Sequence, residues 1–300
     1  MSRRAWFLFV VLSVLWGLPY LLIKVAVAEV AVPVVVFARV LLGAAILLPF
    51  AMRGGQLASV SQFWRPLTAF SILEFMLPWG LVSHAETRMT SSTAGLLMAT
   101  IPILVLGIER LAGPAEPLGL RRAAGLALGF CGVFVLAVPD LGSGPWAVVE
   151  VLLAALSYAA AAVVAARSLT AAPALPMVVW CLTLAAVIYL PAAIVTWPTA
   201  MPSKETIAAL AGLAGACTAV ALLCFFALIR EVGAARASVV TYANPVVAVV
   251  AGVLLLNEPL TPSMVGALLL IAGGSALATA AVRTNTERIL YRLPTSKEMP

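Results

Sequence analysis

Charge is scarce in this sequence: Asp, Glu, Lys and Arg make up 10% of its 300 residues, against about 25% in ordinary soluble domains. A soluble fold of this length needs a charged shell, and none can be assembled here. Histidine is almost missing, with His84 alone. The four cysteines, Cys131, Cys181, Cys217 and Cys224, fall inside apolar runs and form no CxxC pair. They read as small apolar residues, not as disulfides or metal ligands. HExxH, a Ser/His/Asp set and a glycine-rich phosphate loop are all missing, so no cofactor or metal is expected and an enzyme is not the expected class. The net charge of +6 has no solvent-exposed basic domain to sit on, which argues against nucleic-acid binding.

Apolar residues are present in abundance. They make up 63% of the chain, its mean hydropathy is +1.11, and runs long enough to cross a bilayer recur throughout. Backbone N–H and C=O groups cannot stay unpaired in lipid, so helices are the default spanning structure, and the period-2 alternation of a membrane barrel is absent. The fold class expected is therefore all-α, a polytopic membrane protein with ten transmembrane helices: 6–28, 32–52, 66–84, 91–111, 121–138, 146–166, 174–197, 205–229, 236–256 and 262–282. The first run, from Trp6 to about Ala28, exceeds the 7–15 apolar residues of a signal peptide, and an uncleaved helix is expected there.

Basic residues orient these spans. With the N-terminus inside, Arg3, Arg4, Arg53, Arg65, Arg110, Arg121, Arg122, Arg167, Arg230, Arg236, Arg283, Arg288, Arg292 and Lys297 fall on the cytoplasmic side, whereas only Arg88 and Lys204 fall outside. That bias predicts a multi-pass protein of a bacterial-type inner membrane with both termini cytoplasmic.

The sequence also repeats itself. "AEPLGLRRAAGLALGFCGV" at 115–133 and "NEPLTPSMVGALLLIAGG" at 257–274 share Glu-Pro-Leu followed by two glycines seven apart, Gly125 and Gly132 in one, Gly266 and Gly273 in the other. At an offset of about 142, Trp16 meets Tyr158, "HAETR" meets "FALIR", and Pro102 meets Pro245. Five spans per unit is odd, so the second copy enters the membrane upside down, giving a 5+5 inverted repeat: 1–140, 141–283, and a cytoplasmic tail at 284–300. In such proteins the substrate site lies between the halves near the midplane. Glu116 and Glu258, each before a proline, end the fourth helix of each unit and read as architectural.

"LSVLWGLPYLLIK" in span 1, "PVVVFARVLLGAA" in span 2 and the Pro, Glu-Pro-Leu, Gly, Gly signature closing each half together resemble the drug/metabolite transporter superfamily, in particular its ten-helix EamA-type members. The resemblance covers residues 6–282. It implies an exporter of small metabolites such as amino acids, similar to bacterial amino-acid exporters, working by alternating access through a central cavity. Branches that carry phosphorylated solutes use basic residues in their late helices, and this chain has none between Arg236 and Arg283. Small multidrug exporters carry a carboxylate in span 1, which is missing here. A neutral or zwitterionic amphipathic solute fits best. The alternatives are a proton-coupled exporter of drugs or lipid-like metabolites and an intramembrane enzyme using Glu74, His84 and Glu86. Expected partners are the small-molecule substrate and membrane lipids, with a monomer sufficient.

Polar residues inside spans are costly, so each is a candidate. Glu74 reads as a proton-titrating or amine-binding carboxylate, or as a structural partner of Arg39. Arg39 reads as a clamp for a substrate carboxylate, or as half of that pair. Lys24 stands near the outer end of span 1, where it can snorkel. His84 reads as a titrating gate or a hydrogen-bonded interfacial histidine. Trp16, Tyr20, Phe75, Trp79, Tyr158, Trp180 and Tyr242 lie deeper than an interfacial belt and are expected to line a cavity or to pack between helices. Pro102 and Pro245 free carbonyls inside spans 4 and 9 as hinges or passive kinks, and Asn244 bridges the kink or meets substrate.

Overall fold

A computed structural model describes residues 2–55, 57–111, 120–137, 145–233, 237–274 and 277. Glu116 and the tail 284–300 lie outside the described residues. The described chain is helical throughout. The helices are α1 (Arg3–Val27), α2 (Val32–Arg53), α3 (Ala58–Ala85), α4 (Ser91–Met98 and Ile101–Leu111), α5 (Leu120–Ala137), α6 (Pro145–Ser168), α7 (Ala174–Val195), α8 (Lys204–Val232), α9 (a 3-10 turn Ser238–Tyr242, then Asn244–Leu256) and α10 (Pro262–Gly274). Seven of them are long and apolar enough, by length and composition, to cross a membrane; α4, α5 and α10 supply three shorter apolar stretches.

Proline positions explain most departures from straight helices. Pro19 splits α1 at Leu18, because a proline cannot donate its backbone bond and crowds the preceding turn. The fourth helix stops at Met98 and restarts at Ile101, with Pro102 in the first turn of the new piece and the Thr100 hydroxyl donating to the Leu97 carbonyl at 2.8 Å. In α9 the break is sharper than a kink: Pro245 opens a new helix after a 3-10 turn. Pro49 and Pro191 stand inside α2 and α7 at matching places in the two halves.

Packing reveals the symmetry of the repeat. Helix α2 lies along α7, α4 along α9, α1 against α8, and α3 against α6. Exchanging the halves carries the α1–α8 pair onto α6–α3 and returns the other two pairs to themselves, as a two-fold axis between inverted units requires. Small residues allow this closeness. A Cβ at Gly95 of α4 would stand 2.5 Å from the Ala248 Cβ of α9. The outward surface carries Phe7, Leu41, Ile46, Val187, Ile188 and Ile194, all exposed, as a lipid-facing surface should.

Polar links tie the end of the bundle remote from the N-terminus. Ser203 N–H donates to Glu29 at 2.8 Å. Arg88 donates to Glu150 of α6 at 2.6 Å, and His84 Nδ1 stands 3.0 Å from the same carboxylate. Lys24 donates to the backbone carbonyls of Glu86 and Met89 at 2.6 and 2.8 Å, so it is anchored to protein and not simply extended toward the interface.

Glu258 makes the densest link. The left-handed Asn257 (φ 54°) turns the chain after α9. The Glu258 carboxylate then accepts from the N–H of Ser91 (2.7 Å) and of Ser92 (3.0 Å), and from both hydroxyls. A carboxylate from one half thereby caps a helix of the other, where orphan N–H groups favour negative charge. Burial alone would raise the pKa of Glu258, but the hydrogen bonds from Ser92 and Ser91 outweigh it and hold the carboxylate below its usual range. A depressed value means the link contributes in full above the unfolded glutamate pKa of about 4.3 and is lost as pH falls through the folded value. Amide hydrogen exchange at 91–94, corrected for intrinsic rates, should therefore lose protection on acidification below about pH 4. Glu258→Gln should flatten that response.

Candidate central cavity between the repeats

Two π-helical turns shape the middle of the bundle. Ile72–Met76 interrupts α3 and Gly215–Val220 interrupts α8, at matching places in the two halves. A π turn inserts one residue, rotates the side chains that follow and displaces carbonyls from the ladder; such turns gather at functional sites. Neighbours take up those carbonyls in α3: the Ser157 hydroxyl donates to Leu73 O at 2.8 Å and the Tyr189 hydroxyl to Met76 O at 2.9 Å. In α8 the Thr218 hydroxyl donates to Leu213 O, five residues back, at 2.8 Å. The two turns present Glu74 and Thr218 to the same space.

That space is a cavity of about 370 Å³, within the range of small-molecule sites. Trp16, Tyr20, Arg39, Glu74, Phe75, Trp79, Tyr158 and Asn244 all line it, together with Met98, Ile101, Cys217, Thr218, Leu222, Phe225 and Thr241. Both halves contribute. Trp16 meets Phe225 with centroids 4.9 Å apart, and Phe75 stands edge-on to Trp79 at 5.3 Å. The Trp79 indole N–H donates to the Tyr158 hydroxyl at 2.8 Å, which fixes both rings.

Arg39 is the cavity's cation. Its side chain is buried; its Cζ lies 3.5 Å from the centre of the Trp79 ring, and its Nε donates to Thr218 at 3.1 Å. Stacking on an indole face and one oriented hydrogen bond hold the guanidinium plane. Among the described residues that is its one hydrogen bond, and its two terminal nitrogens have no hydrogen-bond partner there. No ion pair joins Arg39 to Glu74 among the described residues, so the pairing that sequence allowed is not made. The Asn244 side-chain oxygen is buried without a partner. The cavity thus holds a fixed cation, a carboxyl group and an unpaired amide oxygen between aromatic walls.

Other sequence candidates stand elsewhere. His84 belongs to the Glu150 link at the bundle end. Trp180 packs partly buried among the α2–α3–α7 side chains, and Tyr242 lies on the turn opening α9 without reaching the cavity wall. Pro102 and Pro245 are not wall residues, although their neighbours Ile101 and Asn244 are. Sequence reasoning passed over Thr218 and Phe225; the available signal was a lone hydroxyl in the apolar run "GACTAVALLCFF".

A ten-helix membrane bundle built from two inverted units around a polar-studded cavity defines a membrane transporter. Residues 3–138 and 145–280 each match the EamA-like transporter family, and the chain belongs to that family. It is 28% identical over 259 residues, 83% of this chain and 82% of the other, to the "uncharacterized inner membrane transporter YedA" of Escherichia coli. It is 27% identical over 277 residues, 90% of each chain, to the "uncharacterized transporter YvbV" of Bacillus subtilis. A solved crystal structure superposes with a TM-score of 0.66 at 20% identity, covering 94% of this chain and 99% of the other, which is a likeness of fold.

Proposed function

We propose that this transporter exports amino acids or similar small amphipathic metabolites across the inner membrane, by alternating access of the central cavity. The observation that carries the reading is Arg39, held flat by Trp79 and Thr218 with its terminal nitrogens unpaired. A planar guanidinium in that state is a receptor for a carboxylate. Glu74 and the Asn244 oxygen supply acceptors for an ammonium group, and the aromatic walls accept an apolar side chain. The distribution of Lys and Arg supports cytoplasmic termini, and in that orientation the end tied by Glu29, Lys24, Glu150 and Glu258 faces outside.

The test is uptake into proteoliposomes of a panel of labelled amino acids, with and without a pH gradient. Saturable flux is expected, accelerated by the gradient in wild type and insensitive to it in Glu74→Gln, because that variant removes the titrating carboxyl from the cavity and keeps its shape. Absence of flux for every amino acid, with folded protein, would overturn the reading in favour of drugs or lipid-like solutes.

A further inference from the structure

A second buried acidic group lies outside the cavity. Glu86 directly follows α3 at the bundle end tied by Lys24 and Glu258. The residue is 0% exposed, and among the described residues neither carboxyl oxygen has a hydrogen-bond partner. An ionised carboxylate sealed from water without donors is strongly unfavourable, so the site demands a bound cation or a proton. The cation nearest in charge is already engaged: Lys24 directs its ammonium to the backbone carbonyls of Glu86 and Met89, not to the carboxyl oxygens. Those carbonyls are also the oxygens a metal ion would need. Other facing groups do not satisfy Glu86 either. Arg39 of α2 stacks on Trp79, Tyr20 of α1 lines the cavity, and Glu258 adds negative charge. His84 at the end of α3 and Arg88 in the turn after it are held by Glu150 of α6.

We propose that Glu86 is a proton-binding group of the outer gate, protonated while the Glu258–Ser91/Ser92 and Lys24 links are closed and deprotonated when they part. On opening, the carboxyl O–H bond breaks, the proton passes to entering water, and the carboxylate left behind is hydrated. Burial pushes the Glu86 acid well above the usual carboxylate range, with Lys24 only partly offsetting it. Because the value is raised only in the closed form, the preference for closure is full below the ordinary glutamate value that the hydrated open form takes, about 4.3, and is lost progressively as pH rises from there through the closed-form value. The proposal rests on the alternating-access reading and deepens it, adding a titrating carboxyl besides Glu74.

Infrared difference spectroscopy of the purified full-length protein across a pH titration decides it, because it needs no solute and so stands apart from the amino-acid reading. At neutral pH wild type should show the C=O band of a protonated carboxylic acid that is lost in Glu86→Gln and kept in Glu74→Gln. The double change Ser91→Ala with Ser92→Ala, which loosens the gate and leaves Glu86 in place, should make that band titrate at lower pH. A neutral-pH spectrum unchanged by Glu86→Gln, or a band whose titration ignores the serine changes, would overturn the proposal.

Discussion

Arg39→Lys is expected to raise the half-saturation concentration for amino-acid flux about 10- to 100-fold, with the protein still folded. Lysine keeps the positive charge, so a role limited to charge neutralisation would survive the change. It loses the planar stack on Trp79 and the Nε bond to Thr218, and with them the fork that receives two carboxylate oxygens at once. A hydrogen bond to a charged group is worth about 1.5–3 kcal/mol, which at 1.4 kcal/mol per decade gives the stated range. Arg39→Ala should go further and abolish saturable flux. Initial-rate uptake against solute concentration is the measurement. An unchanged half-saturation in Arg39→Lys would remove the guanidinium from substrate binding.

Gly252→Val should produce the largest loss of stability. Gly252 lies on α9 where the chain folds back toward Glu258, and Glu258 N–H donates to its carbonyl at 3.1 Å. A Cβ there would fall on the Glu258 carboxylate and the Ser92 hydroxyl, with Glu258 Cδ 3.0 Å away. The link between halves must then open, losing charge-assisted bonds and forcing α4 from α9, at a cost of about 2–4 kcal/mol. Gly266→Val on α10, where an added Cβ meets nothing within 4 Å, is the matched control. Melting in detergent should fall clearly for the first variant and little for the second.

Long-range order was readable from sequence, whereas side-chain direction was not. Apolar runs and the paired Glu-Pro-Leu segments disclosed ten helices and two units, because bilayer thickness and duplication both leave marks along the chain. Arg39 and Glu74 stood out since a charge in an apolar run is costly enough to need a reason. Trp180 and Tyr242 looked equivalent to Trp79 and Tyr158, but which face of a helix meets the cavity depends on partner helices, and the one-residue π insertions rotate that face without changing the sequence pattern. Thr218 was missed for the same reason: a lone threonine in "GACTAVALLCFF" reads as filler until the π turn aims it at Arg39. The Glu258 link joins residues 166 and 167 positions apart, beyond any local signal.

The central claim is that the cavity between the repeats is where solute binds, and its most direct test is solute-dependent thermal stabilisation of the purified transporter. A ligand that binds only the folded state raises the melting temperature as its concentration exceeds its dissociation constant. Large neutral amino acids should stabilise wild type, their decarboxylated amines should not, and Arg39→Lys should lose most of the difference. Stabilisation that is the same for acid and amine, or that persists unchanged in Arg39→Lys, would contradict it.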